Sequence, residues 1–182
     1  MGLGAEILVF LVDVVFSLYI AAVVIRLLLG FARADFHNPL SQFLVKVTNP
    51  VLVPMRRFVP AMGSIDTSAV LLAYVLTVVK VGLILLIKTS NLHFPELLIF
   101  ALGDLIKLII YVYLFSLIIQ AITSWIGSAQ GNPITPLLNS LTAPLLRPIR
   151  KVVPLIGMMD LSPLVAILGL NILLMIVARV FT

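Results

Sequence analysis

The chain has 182 residues, of which 62% are hydrophobic and only 10% charged, too little polar material to cover a water-soluble globule. We therefore predict an integral membrane protein, in which a net charge of +5 concerns orientation and anionic lipid. Aromatic residues do not alternate with a basic stripe, so nucleic acid is not an expected partner. The absence of cysteine excludes disulfides, a thiolate nucleophile and a Cys-based metal site.

The first apolar stretch covers residues 7–31 and contains two charged residues, Asp13 and Arg26. A bilayer core of about 30 Å needs about 20 helical residues, so this stretch is long enough to span it. No Lys or Arg precedes it in residues 1–6, and the apolar run is longer than that of a signal peptide. We expect a retained first transmembrane helix.

A polar, proline-rich segment follows, and it occurs twice. The first cassette covers residues 38–68 and the second covers residues 132–162. Each position of the first maps onto the second by adding 94 to its number, without a gap. The shared residues are Asn38, Pro39, Thr48, Pro50, Pro54, Pro60, Gly63, Asp66 and Ser68 in the first cassette, and Asn132, Pro133, Thr142, Pro144, Pro148, Pro154, Gly157, Asp160 and Ser162 in the second.

Each cassette begins with the apolar spacing of a short amphipathic helix. In the first cassette the apolar positions are Leu40, Phe43, Leu44 and Val47. Asn38 suits the N-cap, with Pro39 at the first helical position, and Pro50 is expected to end the helix after about ten residues. The second cassette repeats these features, with Pro144 as its stop. So short a helix predicts a location in the membrane interface, with a re-entrant segment as the open alternative.

Helix-start residues close each cassette and predict where the next span begins. Asp66 and Ser68 precede a second span at residues 69–87. Ser162 is predicted to be the N-cap of a fourth span at residues 163–181, since proline follows it.

A third span at residues 101–126 completes the set. The chain then divides into repeat 1 (residues 1–94) and repeat 2 (residues 95–182). We predict an all-α membrane protein with four transmembrane helices arranged as two parallel repeats, related by a pseudo-two-fold axis along the membrane normal. An interfacial amphipathic helix lies between the spans of each repeat.

Basic residues near the spans predict the orientation in the membrane. The cassettes and their approaches carry Arg33, Lys46, Arg56, Arg57, Arg147, Arg150 and Lys151. The opposite side carries only Lys88 in the central connection and Arg179 near the C-terminus. By the positive-inside rule the cassettes face the cytoplasm and both termini face the periplasm.

The basic residues of the cassettes have two interpretations, which the sequence leaves equal. Arg56, Arg57, Arg147, Arg150 and Lys151 either bind anionic lipid headgroups or serve only as topology determinants.

The cassette motifs also resemble a known family. They are N-P-L/I at Asn38 and Asn132, T-x-P at Thr48 and Thr142, P-x-R-R/K at Pro54 and Pro148, and G-x-x-D-x-S at Gly63 and Gly157. The double pattern resembles the YggT family of bacterial inner-membrane proteins and is similar to the related YlmG proteins. The resemblance covers most of the chain, although the first cassette lacks the D-x-S-P form of the second because Ala69 stands opposite Pro163.

The resemblance implies a multi-pass inner-membrane protein to which no catalytic residue or cofactor is assigned. It connects the chain with tolerance of osmotic or salt stress and ion uptake. It also implies links with division, with nucleoid or thylakoid organisation, and with maturation of a membrane cytochrome in plastids.

Charged residues within the predicted spans are candidates for function, because an ionisable group in the membrane is costly unless it is paired or hydrated. We predict a cluster of Asp13, Lys80, Asp104 and Lys107, with Lys80 about 10 Å from the outer end of its span. The alternative is a set of structural ion pairs between helices, or snorkelling from near the interface.

Asp66 and Asp160 are predicted to act as helix caps, with cation binding as the less favoured alternative. His37 and His93 are predicted on opposite membrane faces, so we expect no metal or haem site between them.

No arrangement of residues typical of catalysis is present in the sequence, so we expect a protein that is not an enzyme. We expect a membrane organisation or assembly factor, with cation (potassium) uptake under osmotic stress as the alternative function. Expected partners are anionic lipids at the cytoplasmic face, a second copy of the chain and other membrane proteins.

Overall fold

The computed structural model describes residues 2–60, 65–89, 93–126, 132–153 and 160–181, without the side chains of residues 89 and 124–126. These residues form six helices: α1 (Leu3–Phe31), α2 (Pro39–Met55), α3 (Thr67–Thr89), α4 (Phe94–Ile126), α5 (Ile134–Arg150) and α6 (Ser162–Val180). Helices α1, α3, α4 and α6 are long and apolar enough to cross a membrane, and they cover the four predicted spans. Gly63, Pro154 and Gly157 lie outside the described residues.

The four long helices pack one after another, α1 on α3, α3 on α4, and α4 on α6. The cassette helices lie against them, with α2 on α1 and α3, and α5 on α4 and α6. Each repeat is thus a three-helix unit. One apolar core lies within repeat 2, whereas the other joins α1–α3 to buried residues of α4 and α5. The contact between repeats is one-sided, because α3 packs on α4 whereas α6 forms no comparable pair with α1.

The cassette helices continue through their prolines, so the prediction that Pro50 and Pro144 end them is wrong. Helices α2 and α5 each have 17 residues and contain two prolines. An interior proline removes one hydrogen bond and crowds the preceding turn. Here the helical path also carries Leu52 and Leu146, both fully buried, into the core beyond the first proline. Their burial offsets the local preference, and the helices end at Met55 and Arg150, about one and a half turns beyond the first proline.

Asparagine and aspartate side chains cap the helices of both repeats. Asn38 Oδ1 accepts a hydrogen bond from the backbone N–H of Leu40, and Asn132 Oδ1 does the same for Ile134. In the second cassette the helix begins only at Ile134, so Pro133 takes the N-cap position and not the predicted first helical position. Asp66 Oδ1 accepts from the N–H of Ala69 at the start of α3. Asp160 accepts from the N–H of Ser162, which is the first residue of α6. The prediction of Ser162 as the N-cap is therefore wrong, because the nearby carboxylate takes that role.

A buried polar contact fastens each cassette helix to the first span of its repeat. In repeat 1, the buried Arg26 of α1 donates from Nη1 to Thr48 Oγ1 and, at 3.4 Å, to the carbonyl oxygen of Val45. Thr48 in turn donates to the carbonyl oxygen of Leu44 at 2.7 Å.

Repeat 2 makes the same contact with different chemistry. Gln120 stands at the position of Arg26, and its Oε1 lies 3.0 Å from the hydroxyl of Thr142, the counterpart of Thr48. Gln120 Nε2 donates to Asn139 Oδ1 at 2.7 Å, and Asn139 is the counterpart of Val45. The threonine of each T-x-P motif therefore holds the cassette helix against the preceding span, through a contact that we call the anchor. Its partner is the charged Arg26 in repeat 1 and the neutral Gln120 in repeat 2.

Replacing Arg26 tests this anchor. We expect Arg26→Gln to keep most of the contact, because glutamine serves at the equivalent position. Arg26→Leu should lower the thermal unfolding midpoint in detergent by several degrees, since a lost buried hydrogen bond costs about 1–3 kcal/mol. Gln120→Leu is the matched variant in the second repeat. Equal midpoints for Arg26→Gln and Arg26→Leu would contradict the anchor.

Candidate functional site

Lys80 of α3 lies where α1, α3 and α4 meet, and only 3% of its surface is exposed. Its Nζ is 3.2 Å from Asp13 Oδ1 on α1 and 2.6 Å from Asp104 Oδ2 on α4. It also donates a hydrogen bond to Ser17 Oγ on α1 at 3.0 Å. We call these four residues the ion cluster. The fold thus joins three spans through one ammonium group.

The ion cluster lies near the middle of its span. Lys80 is nine residues before the end of α3 at Thr89 and thirteen after its start at Thr67, distances of about 14 and 20 Å. This is deeper than the sequence indicated, because α3 extends two residues beyond position 87. A lone charge at such depth is costly, and the pairing seen here is what removes that cost.

The hydrogen-bond donors and acceptors of the cluster match in number, but its charges do not. An ammonium group has three N–H donors, and Asp13, Asp104 and Ser17 provide one acceptor each. Two carboxylates against one ammonium leave a charge of −1 when all three are ionised. The Asp13 and Asp104 side chains are 53% and 37% exposed, so part of each carboxylate faces away from Lys80.

The cluster occurs only once, although the chain is duplicated. Leu174 stands at the position equivalent to Lys80, and Phe10 at the position equivalent to Asp104. The ion pairs therefore bind α3 to α4, whereas α6 and α1 have apolar residues at the matching places. This difference agrees with the one-sided contact between the repeats.

The structure brings together three of the four charged residues predicted as a cluster. Lys107 of α4 is partly exposed and forms no ion pair with any residue that the structure describes. It lies one turn beyond Asp104, on the side of α4 that carries the exposed Tyr111.

An apolar groove of about 580 Å³ runs from the ion cluster toward the cassettes, between α1 and α4. Asp13 and Ser17 line one end, and residues of α2 and α5 line the other. Its walls pair equivalent positions of the two repeats: Val14 with Leu108, Leu18 with Val112, and Ala21 with Phe115. The groove therefore follows the boundary between the repeats. The groove was not predicted from the sequence, although the repeat offset is the signal that identifies its walls.

The basic residues of the cassettes fall into two groups. Arg56 forms an ion pair with Asp66, and Arg150 Nε lies 2.9 Å from Asp160 Oδ2, so each aspartate both caps a span and holds the preceding turn. Arg57, Arg147 and Lys151 are exposed, and none of them forms an ion pair within the described part of the chain.

Hydrogen bonding lowers the pKa of Asp66. Burial alone would raise the pKa of this carboxyl, but hydrogen bonds from Arg56 and Ser68, together with the charge of Arg56, outweigh burial and hold it below its usual value. The pKa of Asp160 is also lowered, by hydrogen bonding with Ser162, whose backbone N–H donates to it, and by Arg150.

In the part of the chain that the structure covers, no three His, Asp or Glu side chains lie close enough together to hold a metal ion. His37 contacts Asp35 at 3.1 Å on the cassette side. His93 precedes the start of α4, at the other end of the bundle.

Comparison with known proteins identifies a family. A family model described as CCB3/YggT matches the chain twice, over residues 5–87 and 99–181. The chain is 45% identical over 164 residues to an uncharacterised protein of Vibrio alginolyticus from the proC 3′ region, covering 89% of this chain and 88% of the relative. It is 40% identical over 173 residues to the uncharacterised protein YggT of Escherichia coli K12, covering 95% and 90% of the two chains. It is 39% identical over 171 residues to an uncharacterised Pseudomonas aeruginosa protein, covering 93% and 87%. No solved structure is significantly similar to the chain.

Removing the ammonium group tests the ion cluster. Lys80→Met leaves two carboxylates close together without a counter-ion, and loss of one partner of a buried pair costs about 3–5 kcal/mol. We expect a large fall in the thermal unfolding midpoint in detergent, and a smaller one for Asp13→Asn than for Asp104→Asn, since Asp13 is farther away and more exposed. Lys88→Met, near the end of α3, is the control. A midpoint for Lys80→Met equal to that of the control would refute the assigned role.

The Arg56–Asp66 pair predicts a dependence of stability on acid. The pKa of Asp66 is lower in the folded chain than the value of about 3.9 in an unfolded chain, so its contribution is complete above that pH and lost as pH falls through the folded value. We expect Asp66→Asn to lower the unfolding midpoint at pH 6, and the difference from wild type to disappear as the pH falls through the folded pKa of Asp66. Glu6→Gln, which changes an exposed carboxylate, is the control. A constant gap between Asp66→Asn and wild type across this range would contradict the prediction.

Proposed function

The chain belongs to the CCB3/YggT family, and from that premise we propose that it is a non-enzymatic membrane organisation or assembly factor. The observation that supports this most is the ion cluster. All three donors of Lys80 are occupied by groups of the protein, two on α1 and one on α4, so that Lys80 on α3 joins three helices. An ammonium held in this way stabilises a scaffold, since an ion or substrate would have to displace one of those partners.

The surface of the bundle supports a role in lateral contacts. Exposed apolar side chains cover α1 and α6, and the groove between α1 and α4 adds a concave site within the span. In the proposed orientation, the cassettes face the cytoplasm and both termini face the periplasm of a bacterial inner membrane. Exposed Arg57, Arg147 and Lys151 then meet anionic headgroups, each contributing about 1 kcal/mol.

Cation homeostasis under osmotic stress is the second candidate function. The observation that favours it is the unequal charge of the ion cluster, where two partly exposed carboxylates face one ammonium. Such an excess of negative charge attracts a cation, and Asp13 lines the groove through which one would approach. This reading requires a hydrated path, whereas the groove walls are apolar beyond Asp13 and Ser17 for most of their length.

Purification in native lipid separates the two functions. Under the first, we expect membrane proteins to co-purify in fixed ratio, with anionic lipid that is depleted when Arg57 and Lys151 are changed to Gln. We also expect no potassium flux in liposomes. Potassium flux that Lys80→Met abolishes and Lys88→Met leaves intact, without protein partners, would reverse the ranking. If the first function is correct, growth at high salt should decrease among variants of the ion cluster in step with their loss of thermal stability, and it should not depend on the charge that each variant carries.

A further inference from the structure

Lys107 is a charge deep within a span for which the chain supplies no counter-ion in the described structure. It lies thirteen residues after the start of α4 at Phe94, about 20 Å along the helix, and three residues beyond Asp104 of the ion cluster. Ionisable residues at such depth pair with one another or face water, because an isolated charge there costs several kcal/mol. No carboxylate among the described residues balances Lys107.

The chain itself carries the complementary charge. The ion cluster has an excess of one negative charge, and Asp13 is its more distant and more exposed carboxylate. Asp13 and Lys107 occupy equivalent positions of the two repeats, 94 residues apart. Since the repeats are parallel, these two opposite charges lie at the same depth, one on α1 and one on α4.

Both charges border the same face of the bundle. Asp13 lines the groove between α1 and α4, and so does Tyr111, which lies one turn after Lys107 on α4. The side chain of Phe115, a further turn along, is 63% exposed at the groove. This face therefore presents an apolar concavity with an acid at one rim and a base beside the other.

We propose that this face is the contact surface between two copies of the chain, with Lys107 of each copy paired with Asp13 of its partner. A two-fold contact uses the same surface on both copies, so that residue i meets j and j meets i. An axis along the membrane normal keeps both copies in the same orientation and brings Asp13 and Lys107 together at one depth. The two pairs balance the excess charge of both ion clusters. The inference does not depend on the proposed function.

An exchange of charges tests the pairing. Chains with Lys107→Asp meet copies of themselves with two like-charged contacts, and so do chains with Asp13→Lys. When the two variants are co-expressed with different tags, both contacts between them join opposite charges. We expect each variant alone to lose self-association in native membranes, and the mixed dimer to exceed either self-dimer by roughly tenfold. Lys107→Asp keeps the internal Asp13–Lys80 pair, whereas Asp13→Lys loses it in every dimer that it forms. The mixed dimer is therefore the decisive comparison, since a folding defect of Asp13→Lys would lower its amount and could not raise it above the self-dimers.

Lys88→Asp is the control for charge reversal, and it should self-associate like wild type. Self-association of Lys107→Asp at the wild-type level would overturn the proposal. It would mean that Lys107 pairs with Asp104 of its own chain or extends to the water at the membrane surface. A mixed dimer no more abundant than the self-dimers would also overturn it.

Cross-linking tests the same surface with all wild-type charges in place. The chain has no cysteine, so single substitutions are specific. Ala21→Cys and Phe115→Cys line opposite walls of the groove, and in the proposed dimer Phe115 of one copy approaches Ala21 of the other. Differently tagged chains with these substitutions should form a disulfide-linked dimer on mild oxidation. Ile172→Cys on α6, 60% exposed like Phe115, should not.

The proposal would be overturned if Ile172→Cys gave as high a yield of disulfide-linked dimer as Ala21→Cys with Phe115→Cys. So would monomers whose groove retains only lipid after gentle extraction, or a groove occupied by a different membrane protein.

Discussion

The fold depends on one buried ammonium group. Lys80 is placed where three spans meet, and two carboxylates and a hydroxyl satisfy it. Within the membrane, water does not compete for these ion pairs and hydrogen bonds. They therefore fix the register of α3 against α1 and α4 more firmly than apolar packing alone. The cluster also explains why the halves meet on one side: the matching positions of the other side, Phe10 and Leu174, are apolar.

Duplication supplied two copies of every position, and the structure uses them differently. The threonine anchor is retained in both halves, with Arg26 in one and Gln120 in the other meeting Thr48 and Thr142. The aspartate that caps the span and holds a basic residue is also retained twice. The intramembrane charges differ in sign or are absent. Positions that hold the fold of each repeat have thus kept their role, while positions at the boundary between repeats have diverged.

Local features were predictable because their cause is local. The four spans follow from long apolar runs, and Asn38 and Asp66 cap helices through backbone groups two or three residues away. The contact between Lys80, Asp13 and Asp104 was predictable in outline, because an unpaired charge within the membrane is costly and opposite charges at the same depth can pair. Lys107 was predicted to join them for the same reason, but it is partly exposed and forms no ion pair with a described residue, and no sequence pattern gives its direction on α4.

The sequence by itself determined the number of spans, the duplication and the family, because apolar length and an ungapped repeat are properties of the chain. Tertiary structure alone decided where the cassette helices end, since burial of Leu52 and Leu146 carries them past Pro50 and Pro144. It also decided which aspartate Lys80 approaches more closely, and it formed the groove between α1 and α4. These features arise from packing between segments far apart in the chain, where helix propensity has no influence.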